Sequence, residues 1–250
     1  MIDIIDELRV DKQISIALAG AGGKTSLMEY FESSLNGRLL FTTSTKLADD
    51  QAGVYDRHVQ LHSRIPNAAD LAEDWHSLLV TDHFNYEQAR FIGLNPEQLL
   101  SLKELCEPEN IPLIIEADGA RRKLLKAPQA WEPVIPSFCD VVIYICALTA
   151  LDQQIDESLV FRSTIFAALS GSEIGDRITF EILSDYLQHS QGGLKNIPEN
   201  SLKILFLNQA DLVADYYSKS MKIAEKISGT YDHCFTGSLL PGQEKMERLF

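Results

Sequence analysis

Gly20-Ala21-Gly22-Gly23-Lys24-Thr25-Ser26, directly after the apolar run Ile14-Ser15-Ile16-Ala17-Leu18-Ala19, decides how this chain is read. A strand that ends in a glycine-rich turn and then opens a helix is a way of holding polyphosphates. Side chains at Gly20, Gly22 and Gly23 would block the approach of phosphate oxygens, and glycine lets the backbone N–H groups converge on them. The helix that follows adds its unpaired N-terminal N–H groups and the positive end of its dipole. Lys24 reaches the terminal phosphates, the Thr25 hydroxyl ligates Mg²⁺, and Ser26 continues the first turn. The expected ligand is a nucleotide, ATP or GTP, with Mg²⁺.

The spacing departs from the standard P-loop, G-x-x-x-x-G-K-[ST], whose first glycine would fall on Leu18. The shorter form G-x-x-G-K-T resembles the loop of the Mur and folylpolyglutamate ligases. A dinucleotide fingerprint fails, because its third glycine would be Thr25. The next strand, Arg38-Leu39-Leu40-Phe41, also ends in Thr42-Thr43-Ser44-Thr45 rather than in the acidic residue that holds a ribose.

Apolar runs of strand length recur at 14–19, 38–42, 112–115, 141–146 and 203–207. They are nearly continuous, which suits strands buried on both faces of a parallel sheet. Helical spacing follows at Leu27, Met28, Phe31 and Leu35. It recurs at Val213, Tyr217, Met221, Ala224 and Ile227, with Gly229 as a stop, and 158–169 reads as a buried helix. The alternation predicts one doubly wound, mostly parallel α/β domain of P-loop NTPase type over 1–250. The strand-like pieces 54–61 and 78–81 predict an antiparallel insertion over 47–95 at the sheet edge. Pro128, Pro133 and Pro136 make 120–137 a long ordered loop, and a final helix is expected near Arg248-Leu249-Phe250.

Composition narrows the partners. The 250 residues are 45% apolar and carry a formal charge of −14, which argues against nucleic acid or an anionic membrane surface. No apolar run approaches the about 18–20 residues of a membrane span, and the acidic stretch 1–7 is no secretory signal, so a cytoplasmic location is expected. Cys106, Cys139, Cys146 and Cys234 lack metal-binding spacing, so neither zinc nor disulfides are expected, and Cys139 and Cys146, which flank an apolar strand, read as small buried thiols.

A nucleotide site of this kind needs an acidic residue from a neighbouring strand. The run Ile111-Pro112-Leu113-Ile114-Ile115-Glu116-Ala117-Asp118-Gly119 supplies two carboxylates and a glycine at a strand's carboxyl end, where open α/β sheets bind ligands. Glu116 and Asp118, two apart, point to the same side of extended chain. One holds Mg²⁺ and the other orients a nucleophile, and Glu116-x-x-Gly119 resembles the Asp-x-x-Gly of GTPases, whose glycine N–H senses the last phosphate; the alternative is a helix cap or a turn after a core strand. Arg121, Arg122, Lys123 and Lys126 follow. Arg121 and Arg122 either stabilise charge on a transferred phosphoryl group or bind an anionic second substrate; the alternative is a solvated basic loop, the preferred reading for Lys123. Asn208-Gln209-Ala210-Asp211 after the last apolar run resembles the guanine-reading signature of GTPases with Gln209 in place of lysine. Alternatively, Asn208 and Asp211 cap the next helix.

The glycine loop, Thr42-Thr43-Ser44-Thr45-Lys46, Glu116-Ala117-Asp118-Gly119-Ala120-Arg121-Arg122, Leu125-Lys126-Ala127-Pro128, Glu132-Pro133-Val134-Ile135-Pro136 and Asn208-Gln209-Ala210-Asp211 resemble, in this order, the YqeC family. The resemblance implies an accessory factor in maturation of a selenium-dependent molybdenum hydroxylase, with that enzyme or its cofactor-maturation proteins as partners. Three activities are compatible with the residues: a Mg²⁺-dependent NTPase or phosphotransferase, a non-hydrolysing nucleotide-dependent docking module, and an ATP-dependent amide ligase of Mur type. In the first, Lys24, Glu116, Asp118, Arg121 and Arg122 do the chemistry, and Thr25, Glu116 and Asp118 hold the metal.

Overall fold

All six residues of the strand Ser15–Gly20 are buried, which requires cover on both faces of its sheet. The computed structural model describes residues 4–8, 13–72 and 74–250; part of the acidic stretch 1–7 therefore lies outside the described residues. In chain order, α1 (Ile4–Leu8) precedes β1 (Ser15–Gly20), α2 (Lys24–Ser34) and β2 (Leu39–Thr43). Then come β3 (Lys46–Ala48), β4 (Arg57–Gln60), β5 (Ser77–Thr81), β6 (Phe84–Asn85), β7 (Arg90–Ile92) and α3 (Pro96–Cys106). The second half runs through β8 (Leu113–Glu116), β9 (Leu125–Lys126), β10 (Val141–Ala147), β11 (Val160–Phe161), α4 (Ser163–Ser170) and α5 (Phe180–Gln188). It ends with β12 (Leu202–Asn208), α6 (Tyr216–Ile227), β13 (His233–Ser238) and β14 (Lys245–Arg248).

Nine strands form one sheet in the order β14-β13-β12-β10-β1-β8-β2-β5-β4, parallel except where β14 pairs antiparallel with β13. The chain enters at the centre in β1, passes to β2, lays β4 at the edge and comes back to place β5 between β4 and β2. It then returns to lay β8 between β1 and β2, and crosses to β10, β12 and β13 on the other side. Strand alternation splits β1 between two cores. Ile16 and Leu18 pack with Leu27, Met28 and Phe31 of α2 on one face. Ala17 packs with Leu99 and Leu102 of α3 on the opposite face, and Ala19 joins the cluster that holds α4, α5 and α6. This is a doubly wound α/β arrangement. α3 starts cleanly because Pro96 needs no N–H partner and Asn95 and Gln98 cap each other's backbone N–H groups, at 3.0 and 2.9 Å.

The five apolar runs form strands within one residue of the expected bounds. Four expectations need correction. The pieces 54–61 and 78–81 do not pair antiparallel: β4 and β5 extend the main sheet in parallel, and within this part of the chain the antiparallel pairing is confined to the separate small sheet β3-β7-β6. The stretch 158–169 is not all helix. Val160 and Phe161 pair with Leu125 and Lys126 before α4 begins, so its apolar residues serve two elements. The C-terminus forms the edge strand β14 rather than a helix, because Met246 packs into the core under β13. Finally, α6 begins at Tyr216, so its buried stripe is Ser220, Ile223, Ala224 and Ile227; Tyr217 is 50% exposed.

That last shift sets a test. Ile223→Ala should cost about 2–5 kcal/mol in urea unfolding, the usual range for a fully buried aliphatic, whereas Tyr217→Ala should change stability by less than about 0.5 kcal/mol. Equal costs would contradict the placement of α6.

Candidate functional site

The turn after β1 is shaped by three glycines in positive-φ conformations, Gly20 at 91°, Gly22 at 79° and Gly23 at 149°. A Cβ on Gly20 would lie 2.2 Å from the Ile145 carbonyl oxygen, and one on Gly22 would lie 2.5 Å from Ala147 Cβ, so neighbouring β10 rules out any larger residue. The Ala21 N–H donates to the Ile145 carbonyl (2.9 Å), which pins the turn to that strand. Asn208 at the end of β12 holds the other side, its Nδ2 donating to the Gly22 carbonyl at 2.8 Å. Gly23 then stands at the N-cap of α2, and no side chain caps that end of the helix. Its first-turn N–H groups are open to an anion.

Beneath the turn lies a buried chain of alternating charge. The Lys24 ammonium donates to the Gly20 carbonyl (2.6 Å), sits 3.0 Å from Asp118 Oδ1 and is 3.8 Å from Glu116 Oε1. Asp118 Oδ2 accepts the Gly20 N–H at 3.2 Å and lies 3.2 Å from Lys126 Nζ. Lys126 also donates to the Gly119 carbonyl (2.9 Å) and to Glu132 (3.1 Å), and Glu132 takes a two-pronged bond from Arg162 at 2.6 and 3.1 Å. Burial opposes ionisation of Glu132, but Arg162 and Lys126 together hold its carboxyl below the usual range. Burial pushes Glu116 up to about 7; Lys24 opposes that rise and Asp118 adds to it. Glu116 Oε2 and Asp118 Oδ1 are buried without a hydrogen bond, the latter despite its ammonium neighbour.

A cleft of about 1180 Å³ opens over this floor. Gly22, Gly23, Lys24, Thr25, Ser26, Glu116, Gly119, Arg121, Arg122, Asn208 and Asp211 all line it. Gly20 and Asp118 do not; they sit below, tied to each other and to Lys24. The Thr25 hydroxyl accepts from the Gln51 side chain. Arg121 lies over the Phe161 ring, 4.8 Å from its centre, and exposed Arg122 pairs with Asp50. Lys123 donates to the Ser158 carbonyl. Thr42 and Thr43 spend their hydroxyls on the Val80 and Glu116 carbonyls, so they serve the strand ends. Neither Asn208 nor Asp211 caps α6, whose N-cap residue is Asp215.

Arg162 and Gln51 are the residues that sequence reasoning missed. Arg162 stands inside an apolar stretch and takes φ 65° where β11 turns into α4; a single charge in such a run was the available signal. Thr25, with its hydroxyl, and Glu116, one of whose carboxylate oxygens is buried without a hydrogen bond, both line the cleft, and oxygen donors of this kind fit Mg²⁺, a hard ion that takes oxygen ligands.

Fold and site together define an α/β protein with a glycine loop seated over a buried lysine–carboxylate cluster. The profile of the YqeC protein family matches residues 16–164, and the chain belongs to that family. It is similar to the uncharacterized protein YqeC of Escherichia coli (strain K12), with 28% identity over 200 residues that cover 78% of this chain and 75% of that one. No solved structure matches the chain. No helix among the described residues is long and apolar enough to cross a membrane.

The raised Glu116 carboxyl has a measurable consequence. Its folded value, about 7, lies above the ordinary 4.5, so folding favours the protonated form. Stability from this group is complete below pH 4.5 and is lost as pH rises toward 7, by roughly 3 kcal/mol at 1.36 kcal/mol per unit. Glu116→Gln stays neutral, so the variant should gain on wild type by about that amount between pH 4.5 and 8 in urea unfolding. A difference that stays flat across that range would contradict the burial of a titrating Glu116.

Proposed function

We propose that this protein binds a nucleoside triphosphate, ATP or GTP, with Mg²⁺, and hydrolyses it or transfers its terminal phosphoryl group. The observation that carries the reading is the uncapped N-terminus of α2, which opens straight from the strained glycine turn with Lys24 and Glu116 beside it. The sheet order supports a nucleotide-binding loop of P-loop type, since ligands of open α/β sheets gather at carboxyl edges where the chain changes direction across the sheet, and β1 is that point here. The loop amides and Lys24 would take the phosphates, and Thr25 and Glu116 would hold the metal ion, which supplies charge neutralisation along the phosphates. Asp118, out of the cleft, acts by holding Lys24 and the Gly20 N–H. Arg121 and Arg122, at the mouth, face charge that develops on the outer phosphate.

At the other end of the cleft, Leu212 and Leu240 are 71% and 48% exposed and line it together with Asp211. They offer two apolar surfaces and one carboxylate acceptor to a base. As the family resemblance implies, we infer that the nucleotide-driven step serves maturation of a selenium-dependent molybdenum hydroxylase in the cytoplasm.

One observation favours a second reading, a nucleotide-dependent docking module. Lys24 is held by Gly20 and Asp118, so a phosphate that draws it away disturbs Asp118, Lys126, Glu132 and Arg162 in turn, as far as the start of α4. Turnover separates the two. With Mg²⁺ and ATP or GTP, wild type should hydrolyse nucleotide, and Lys24→Ala should lower the rate about 100-fold or more. Lys24→Ala leaves Asp118 short of a partner, so Thr25→Ala, which removes only a hydroxyl, is the companion variant and should weaken the Mg²⁺ dependence. Binding without turnover selects the docking module; neither binding nor turnover in wild type would overturn both.

A further inference from the structure

Six cations and four acids line the cleft, in a chain that carries 22 Lys and Arg against 36 Asp and Glu. The charge is not spread evenly. Asn208 and Leu212 follow β12 and Leu240 follows β13, all on one side of β1 in the sheet, and that end carries no cation. Lys46 follows β2 and Arg121 follows β8, both on the other side. Strand register explains how the small sheet joins them. Ala48 pairs with Arg90 and Lys46 pairs with Ile92 in the antiparallel ladder, so Lys46, Ala48 and Arg90 share one face, and all three line the cleft. Leu47 and Phe91 take the opposite face and are buried in the core, which fixes the orientation of the sheet. Arg122, at the same end, is already paired with Asp50. Lys46, Arg90 and Arg121 have no carboxylate partner among the described residues.

Lys46 and Arg90, two cations without a partner acid on one face of the small sheet, give this wall of the cleft a local positive field in a protein of formal charge −14, and that field favours an anion supplied from outside. The triphosphate does not account for these two, because the loop amides, Lys24, Mg²⁺ and Arg121 already serve it under the reading proposed above, on which this inference rests. We propose that Lys46 and Arg90 of the small sheet form a second anion subsite for a phosphate-bearing small molecule bound alongside the nucleotide. The Arg90 guanidinium fork beside the Lys46 ammonium suits a phosphate dianion, which accepts several charge-assisted hydrogen bonds at once. The small sheet thereby carries the second-substrate wall, while the apolar end holds the base.

The test uses the full chain saturated with Mg²⁺ and a non-hydrolysable ATP or GTP analogue, titrated with inorganic phosphate and, in parallel, with acetate. Wild type should bind phosphate, and bind it more tightly than acetate. Lys46→Ala with Arg90→Ala should weaken phosphate binding about tenfold or more while the analogue's affinity stays within about twofold. Arg90→Lys should recover part of the loss. Three results would overturn the proposal: no phosphate binding to the loaded wild type, phosphate binding untouched by the double variant, or acetate held as tightly as phosphate. If no analogue binds, the nucleotide reading fails separately, and the same phosphate titration on the protein alone decides. Loss in the Lys46/Arg90 variant then sustains the subsite, and loss only in Lys24→Ala refutes it.

Discussion

Everything at this site is arranged around the ion pair between Lys24 and Asp118. A lysine on the first turn of a helix, 5% exposed, would be costly to bury without a carboxylate within reach. Asp118 meets that need and also accepts the Gly20 N–H, so one carboxylate fixes both the turn and the ammonium above it. Asp118 in turn lies beside Lys126, Lys126 beside Glu132, and Glu132 beside Arg162. Breaking a buried pair by removing one partner costs far more than the pair itself contributes, because the remaining charge is stranded. These contacts form an unbroken chain from the loop to residue 162.

The same physics explains the division between the two carboxylates of β8 and the residues after it. Glu116 and Asp118 both approach Lys24, yet only Asp118 has a second ammonium beside it. Glu116 has a buried, unpartnered oxygen and a carboxyl pushed up to about 7. Two acids two residues apart thus take separate parts: Asp118 holds the two lysines below the turn, and Glu116, its carboxyl raised by burial, lines the cleft.

Much of this was legible in the chain. Continuous apolar runs gave β1, β2, β8, β10 and β12, since a parallel sheet covered on both faces leaves no polar alternation. The glycines at 20, 22 and 23 were legible for a different reason: their backbone angles, with β10 close to Gly20 and Gly22 and Asn208 close to Gly23, exclude other residues. What was not legible came from pairing choices made at a distance. Whether 54–61 joins the sheet in parallel depends on how the chain crosses over, and residue spacing does not carry that. The face of α6 moved because its start, at Tyr216, is set by the preceding turn at 210–212 rather than by the apolar period. The bond from Asn208 to Gly22 spans 186 residues, and its role in clamping the loop is visible only in three dimensions. Arg162 was hidden by its apolar neighbours for the same reason.

The central claim is that backbone amides at the start of α2 seat the phosphates of a nucleotide. The most direct measurement is the ¹H–¹⁵N spectrum of the full chain as Mg²⁺ and nucleotide are added. The amide protons of Gly22, Gly23 and Lys24 should move downfield together and saturate, with a smaller response at the Gly20 amide, which is already bonded to Asp118. Saturating nucleotide that leaves those amides unmoved while shifting others would contradict the account.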